Sequence, residues 1–157
     1  MDSAPSGVLL SAFLASNPGA QRAAGVLRAG AEVAVSFTDT AADGRIYVNE
    51  AGRITLESTK AIDPDFVLRI PPGAIRTICS RNDTDLGDLG VSFFEHIVSR
   101  EQESKIYVTV HSGLTKLTRR GWLNLLAQGG PKVMGWMVKR GLRGHGAVAS
   151  ALSRLRK

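Results

Sequence analysis

Apolar positions along the chain change period several times, and each change marks an element. Leu10, Phe13 and Leu14 recur at helical spacing, and Asn17-Pro18-Gly19 stops that helix; a second short helix is predicted over Gln21 to Arg28. From Ala31 the period becomes two. Val33, Val35 and Phe37 alternate with Glu32, Ala34 and Ser36, the pattern of a strand with one buried face. Asp43-Gly44 turns the chain, Ile46 and Val48 repeat the alternation, Glu50-Ala51-Gly52 turns it again, and Ile54 and Leu56 follow. These three strands read as an antiparallel meander. A fourth strand is expected over Phe66 to Ile70, closed by Pro71-Pro72, which cannot continue a hydrogen-bond ladder.

Ile75, Ile78 and Cys79 return to helical spacing. Asp88 is the expected cap of a longer helix from Leu89 to Arg100, with Leu89, Phe93 and Ile97 in line. A fifth strand is expected over Lys105 to Val110, then a helix from Thr118 to Leu126 broken by Gly129-Gly130-Pro131. Two further helices are expected: Lys132 to Arg140, apolar around most of its circumference, and a final basic amphipathic one carrying Val148, Leu152 and Leu155. The order predicts an α+β fold, a sheet of about five mostly antiparallel strands with helices on one face, plus C-terminal basic amphipathic helices. We divide the chain into one α+β domain over 1–131 and a basic extension over 132–157.

Charge sharpens that division. The chain has 157 residues and a formal charge of +6, a length suited to one domain. Residues 1–103 hold all fourteen acids and nine basic residues, whereas residues 104–157 hold eleven basic residues and no acid. Seven of those basic residues fall in the last 26 positions: Lys132, Lys139, Arg140, Arg143, Arg154, Arg156 and Lys157. Interleaved with Trp136, Met137, Leu152 and Leu155, they predict docking on an anionic membrane or a protein partner. Nucleic acid is disfavoured, because no recognition motif or aromatic platform accompanies the charge. Met1-Asp2 places an acid where a secretory signal has lysine or arginine, and no apolar run approaches a membrane span. A cytoplasmic protein, peripheral to membrane at most, is expected.

Candidate chemistry is sparse. One cysteine, Cys79, excludes an internal disulfide, and it sits at a core-facing helical position as an inert thiol. Histidines at 96, 111 and 145 lack metal-ligand spacing. Glu95 and His96 are adjacent on a helix and so point about 100° apart. Asp63-x-Asp65 lacks the further oxygens of a calcium loop, and Asp83, Asp85 and Asp88 read as capping and loop residues. No Gly-Lys-Ser/Thr follows a glycine-rich turn, which excludes a phosphate-binding loop. The expectation is no catalysis, no metal and no cofactor.

From about Ala31 to Leu117 the chain resembles the sterol carrier protein type-two domain of the non-specific lipid-transfer family. Three patterns carry the resemblance: Arg45-Ile46-Tyr47-Val48 with Arg53-Ile54-Thr55-Leu56 around Gly52; Ile62-Asp63-Pro64-Asp65 running into the alternating strand to Ile70 and a helix at Ala74 to Ser80; and Phe93-Phe94 followed by Lys105-Ile106-Tyr107-Val108. Ser104 stands where the family has glycine, and Glu95 to Ser104 lengthen the approach to the last strand. The family's members include lipid carriers, domains attached to enzymes and proteins assisting isoprenoid quinone synthesis. The resemblance implies a cavity for a fatty acyl, sterol-like or prenyl lipid. Its expected walls are Ile75, Ile78, Phe93, Phe94, Ile97, Trp122, Leu126, Met134, Trp136 and Met137.

Overall fold

The computed structural model describes residues 5–39, 43–81, 85–128 and 132, with the side chain of Leu126 excepted. Two short helices come first. In α1 (Ser6–Ser16) the i, i+4 pair Leu10 and Leu14 is buried. Asn17 then serves both ends of the junction: its backbone N–H donates to the Phe13 carbonyl, and its side chain accepts from Ala20 N–H at 3.0 Å. With Pro18 filling the first helical position, where no N–H is needed, α2 runs Pro18–Val26. It starts three residues before the expected Gln21, because the Asn17 cap sets the boundary.

Five strands follow: β1 (Glu32–Phe37), β2 (Asp43–Val48), β3 (Ile54–Glu57), β4 (Phe66–Ile70) and β5 (Tyr107–Val110). Their order is β3-β2-β1-β4-β5. β1, β2 and β3 form the expected meander, β4 lies parallel to β1, and β5 closes antiparallel on β4. The sheet is therefore mixed, with one parallel pair. Between β4 and β5 run α3 (Pro72–Arg81) and α4 (Leu86–Ile97); after β5 come α5 (Leu114–Arg119) and α6 (Trp122–Gln128).

Register separates the two faces. Val33 sits between Ile46 and Phe66, Val35 opposite Leu68, Phe37 opposite Ile70, Ile46 opposite Leu56, and Leu68 opposite Val108. Cross-strand partners share a face, so these side chains form one apolar layer. Leu10, Leu14, Ala20, Ala74 and Ile75 from α1, α2 and α3 pack into it. The other face carries Glu32, Arg45, Tyr47, Thr55, Glu57 and Arg69.

Four further boundaries depart from the sequence reading. Asp85, not Asp88, caps the fourth helix: its backbone is extended (φ −85°, ψ 132°) and its carboxylate accepts the Asp88 N–H at 3.1 Å. The helix ends at Ile97 and not Arg100. The helix expected over Thr118 to Leu126 is two helices, because Gly121 takes φ +90° between them. A side chain there would also meet the Val26 carbonyl oxygen at 2.7 Å. β5 begins at Tyr107; Ile106 precedes it, its N–H donating to the His96 carbonyl at 3.0 Å. The C-terminal basic helices expected beyond Lys132 lie outside the described residues.

Candidate functional site

Of the sequence-predicted wall residues, Ile75, Ile78, Phe93, Ile97 and Trp122 lie in or against the apolar layer between sheet and helices. Ile75 on α3 is 1% exposed and belongs to the core itself. Ile78, Phe93, Ile97 and Trp122 pack against that core but stay half-buried. Phe94 is half-buried too, edge-on to Phe93 with ring centroids 6.4 Å apart. Leu126 lies on α6, with its side chain outside the described set, and Met134, Trp136 and Met137 lie outside the described residues.

The distribution of burial on α4 is unusual for a helix packed on α2 and α3. Its buried positions are Gly87, Ser92 and His96. Leu86, Leu89, Phe93, Phe94 and Ile97, its largest apolar side chains, are all left half-buried. Ile46, Ile54 and Leu56 share the core-facing side of β2 and β3 and are likewise only half-buried. Among the described residues, these apolar side chains of α4, β2 and β3 are thus only partly covered.

Beside this layer, at the end of the sheet where β1 and β4 begin, stands a polar cluster centred on Asp65, which is 0% exposed. Its Oδ1 accepts from Ser112 Oγ at 2.6 Å and Arg120 Nη1 at 2.8 Å. Its Oδ2 accepts from Trp122 Nε1 at 2.8 Å and Glu32 N–H at 3.3 Å. The Asp65 carbonyl takes the N–H groups of His111 and Ser112. One carboxylate therefore ties β1, the end of β5 and the start of α6 together. It also fixes the Trp122 ring, which stands edge-on to Phe66 at 4.8 Å. The Trp122 ring thus has a set orientation.

Glu32 extends the cluster. Its Oε1 accepts the N–H groups of Ile62 and Asp63, and its Oε2 meets Arg45 Nη1 at 2.8 Å. Arg45 also pairs with Glu57 and lies over the Tyr47 ring, 4.1 Å from its centroid. Glu57 accepts from the Tyr47 hydroxyl. That bond, followed by Arg45, holds the Glu57 carboxyl below its ordinary value. Lys116, then Arg120, does the same for Asp63. The sequence reading sets Asp63 and Asp65 aside as an incomplete cation loop and gives Glu32, Arg120 and Ser112 no role at the site. The partners of Asp65 stand up to 57 residues away, and only the carboxylate placed directly before an apolar strand hints at a buried acid.

The groups considered for catalysis take structural places. His96 Nδ1 lies 2.7 Å from the Ser92 carbonyl oxygen, inside the fold, while Glu95 faces outward to Arg81 at 3.5 Å. Burial pushes the Cys79 thiol above its ordinary value, and its Sγ lies 3.8 Å from the Leu9 carbonyl oxygen. Among the described residues no group of three or more His, Cys, Asp or Glu side chains could hold a metal ion, and no helix is long and apolar enough to cross a membrane. Of the basic docking residues only Lys132 is described. It pairs with Asp85 at 3.0 Å and Asp88 at 3.1 Å, so its charge is met at the N-terminus of α4. Lys139, Arg140, Arg143, Arg154, Arg156 and Lys157 lie outside the described residues.

No family model matches the chain, and no curated protein matches it. Among solved structures the chain is similar to one named "UbiJ-SCP2 Ubiquinone synthesis protein", 16% identical to it. The match covers 80% of this chain and 89% of that one, with a TM-score of 0.42.

Proposed function

We propose that this protein binds a hydrophobic ligand, a fatty acyl, sterol-like or prenyl lipid, between the apolar face of its sheet and the helices α3 and α4, and acts as a carrier and not a catalyst. One observation carries the reading: α4 buries Ser92 and His96 while leaving Leu89, Phe93, Phe94 and Ile97 half-buried, beside the half-buried Ile78 of α3. A helix that served only to close a core would bury its phenylalanines and expose its serine. The surplus apolar surface supports a guest that completes the packing.

Binding then needs no polar partner for the chain of the lipid. Moving about ten methylenes out of water supplies roughly 8 kcal/mol, comparable to a micromolar complex before ordering costs are subtracted. The Asp65 cluster holds Trp122 and the start of α6 in place while side chains on α3 and α4 adjust. The six basic residues that follow Lys132 support docking on anionic membrane, where cargo would be collected.

Organic extraction of the purified protein, followed by mass spectrometry, tests the proposal. The expected result is a long-chain lipid present in near-stoichiometric amount, whose removal lowers the thermal midpoint and whose return restores it. An empty extract, with a midpoint unmoved by any of the three lipid classes, overturns the reading.

A further inference from the structure

Five large hydrophobic side chains are exposed among the described residues: Val8, Ile62, Val98, Tyr107 and Leu114. Two of them are brought to the same end of the molecule by a clamp. Ile62 is 84% exposed and Leu114 is 50% exposed. Lys116 Nζ and Arg120 Nη2 grip the two oxygens of Asp63 at 2.6 and 3.0 Å, and Arg120 also reaches the Asp63 carbonyl at 3.1 Å. The loop that carries Ile62 is thereby fastened to α5, which begins at Leu114. Ile62 is held outward by construction, since its own N–H and that of Asp63 both donate to buried Glu32 at 2.8 and 2.7 Å.

The charge around this pair is unbalanced. Lys116 and Arg120 answer Asp63 and Asp65, and Glu32 is answered by Arg45. Arg28 joins the same end through its N–H, which donates to the Arg120 carbonyl at 3.0 Å, and Arg119 precedes Arg120 on α5. Both are exposed, and among the described residues neither has an ion-pair partner. The neighbouring hairpin at 49–53 adds Glu50 and Arg53, which offset each other. The end of the sheet therefore presents two outward aliphatic side chains with a surplus of two guanidinium groups.

We propose that this end, where β1 and β4 begin, docks on an anionic bilayer, with Ile62 and Leu114 entering the interfacial layer and Arg28 and Arg119 meeting lipid phosphates. Cationic side chains beside apolar ones fit a lipid surface. A nucleic acid would use the charge and leave Ile62 in water. The surface belongs to the folded domain and is separate from the basic tail, and it stands whether or not the apolar layer takes a ligand.

The test is co-sedimentation of the full chain with vesicles of phosphatidylcholine, with and without phosphatidylglycerol, across a salt series. Wild type is expected to bind the anionic vesicles and to release as salt rises. A double variant, Ile62→Asp with Leu114→Asp, is expected to lose affinity about tenfold, while Val8→Asp, at an exposed site on α1, keeps it. The tail is present in all three chains, so the difference between them reads this end alone. Equal binding by the double variant, an equal loss in Val8→Asp, or no preference of wild type for anionic over neutral vesicles would overturn the proposal. Thermal midpoints are measured alongside to show that the variants fold. Fatty-acid binding by the double variant, expected unchanged, separates failure here from failure of the ligand reading.

Discussion

Removing the Asp65 carboxylate would take away the acceptor shared by four donors at once: Ser112 Oγ, Arg120 Nη1, Trp122 Nε1 and the Glu32 N–H. Breaking a buried charge pair by deleting one partner costs about 3–5 kcal/mol. Asp65→Ala is expected to lower the unfolding free energy from urea titration by that amount, with Asp65→Asn losing less because an amide oxygen still accepts. A loss under 1 kcal/mol in the alanine variant would show that the cluster does not hold β1, β5 and α6 together. Two glycines provide an opposed pair at the same scale. A Cβ on Gly73 would lie 2.3 Å from the Glu103 carbonyl oxygen, whereas one on Gly25, in α2, would meet nothing within 4 Å. Gly73→Ala should destabilise by about 1–3 kcal/mol as the backbone shifts. Gly25→Ala should stabilise by about 0.5–1 kcal/mol through helix propensity. Denaturation curves giving both variants the same sign would refute the close approach. None of these partners was legible in the sequence, since no local period reports which carbonyl will cross a glycine thirty residues away.

What the sequence did show was the elements whose signals are local. Alternation from Val33 to Phe37, and from Phe66 to Ile70, placed β1 and β4 because a strand's two faces differ residue by residue. The errors fall where a boundary depends on a single backbone angle. Asp85 and Asp88 are both competent caps, and Asp85 takes the role because it is the residue in extended conformation before Leu86. Thr118 to Leu126 has continuous helical spacing, yet Gly121 leaves the helical region and redirects the chain into α6 beneath Val26 and Leu27. Gly121→Ala should therefore cost about 1–3 kcal/mol and weaken the placement of Trp122, seen as a shift in its fluorescence. A variant with wild-type stability and emission would contradict this. The half-buried side chains of Ile78, Phe93, Phe94 and Ile97 were legible as apolar positions on α3 and α4. Their incomplete burial was not, because it depends on how α4 turns Ser92 and His96 inward.

Across the molecule, charge pairing sets the acid response. Tyr47 and Arg45 lower the Glu57 carboxyl, Lys116 and Arg120 lower Asp63, and Lys132 lowers Asp85. Each group binds its proton more weakly folded than unfolded, so its contribution to stability is complete above the unfolded values near 4. That contribution is lost as the pH falls through the lowered folded values. The thermal midpoint should stay level from neutral pH to about pH 5 and decline below, and Asp63→Asn should shallow the decline. An unchanged slope in that variant would show that the clamp on α5 carries no proton linkage. The sheet, its apolar layer and the half-buried face of α4 converge on one claim, that the interior is completed by a lipid. A titration with a fluorescent fatty acid, followed by displacement with unlabelled lipid, measures it most directly. Saturable binding at micromolar concentration is expected, displaced by long-chain lipid and weakened at least fivefold (~1 kcal/mol) by Ile78→Trp, which adds bulk at a half-buried apolar position of α3; non-saturable uptake, or full affinity in Ile78→Trp with the fold intact, would contradict it.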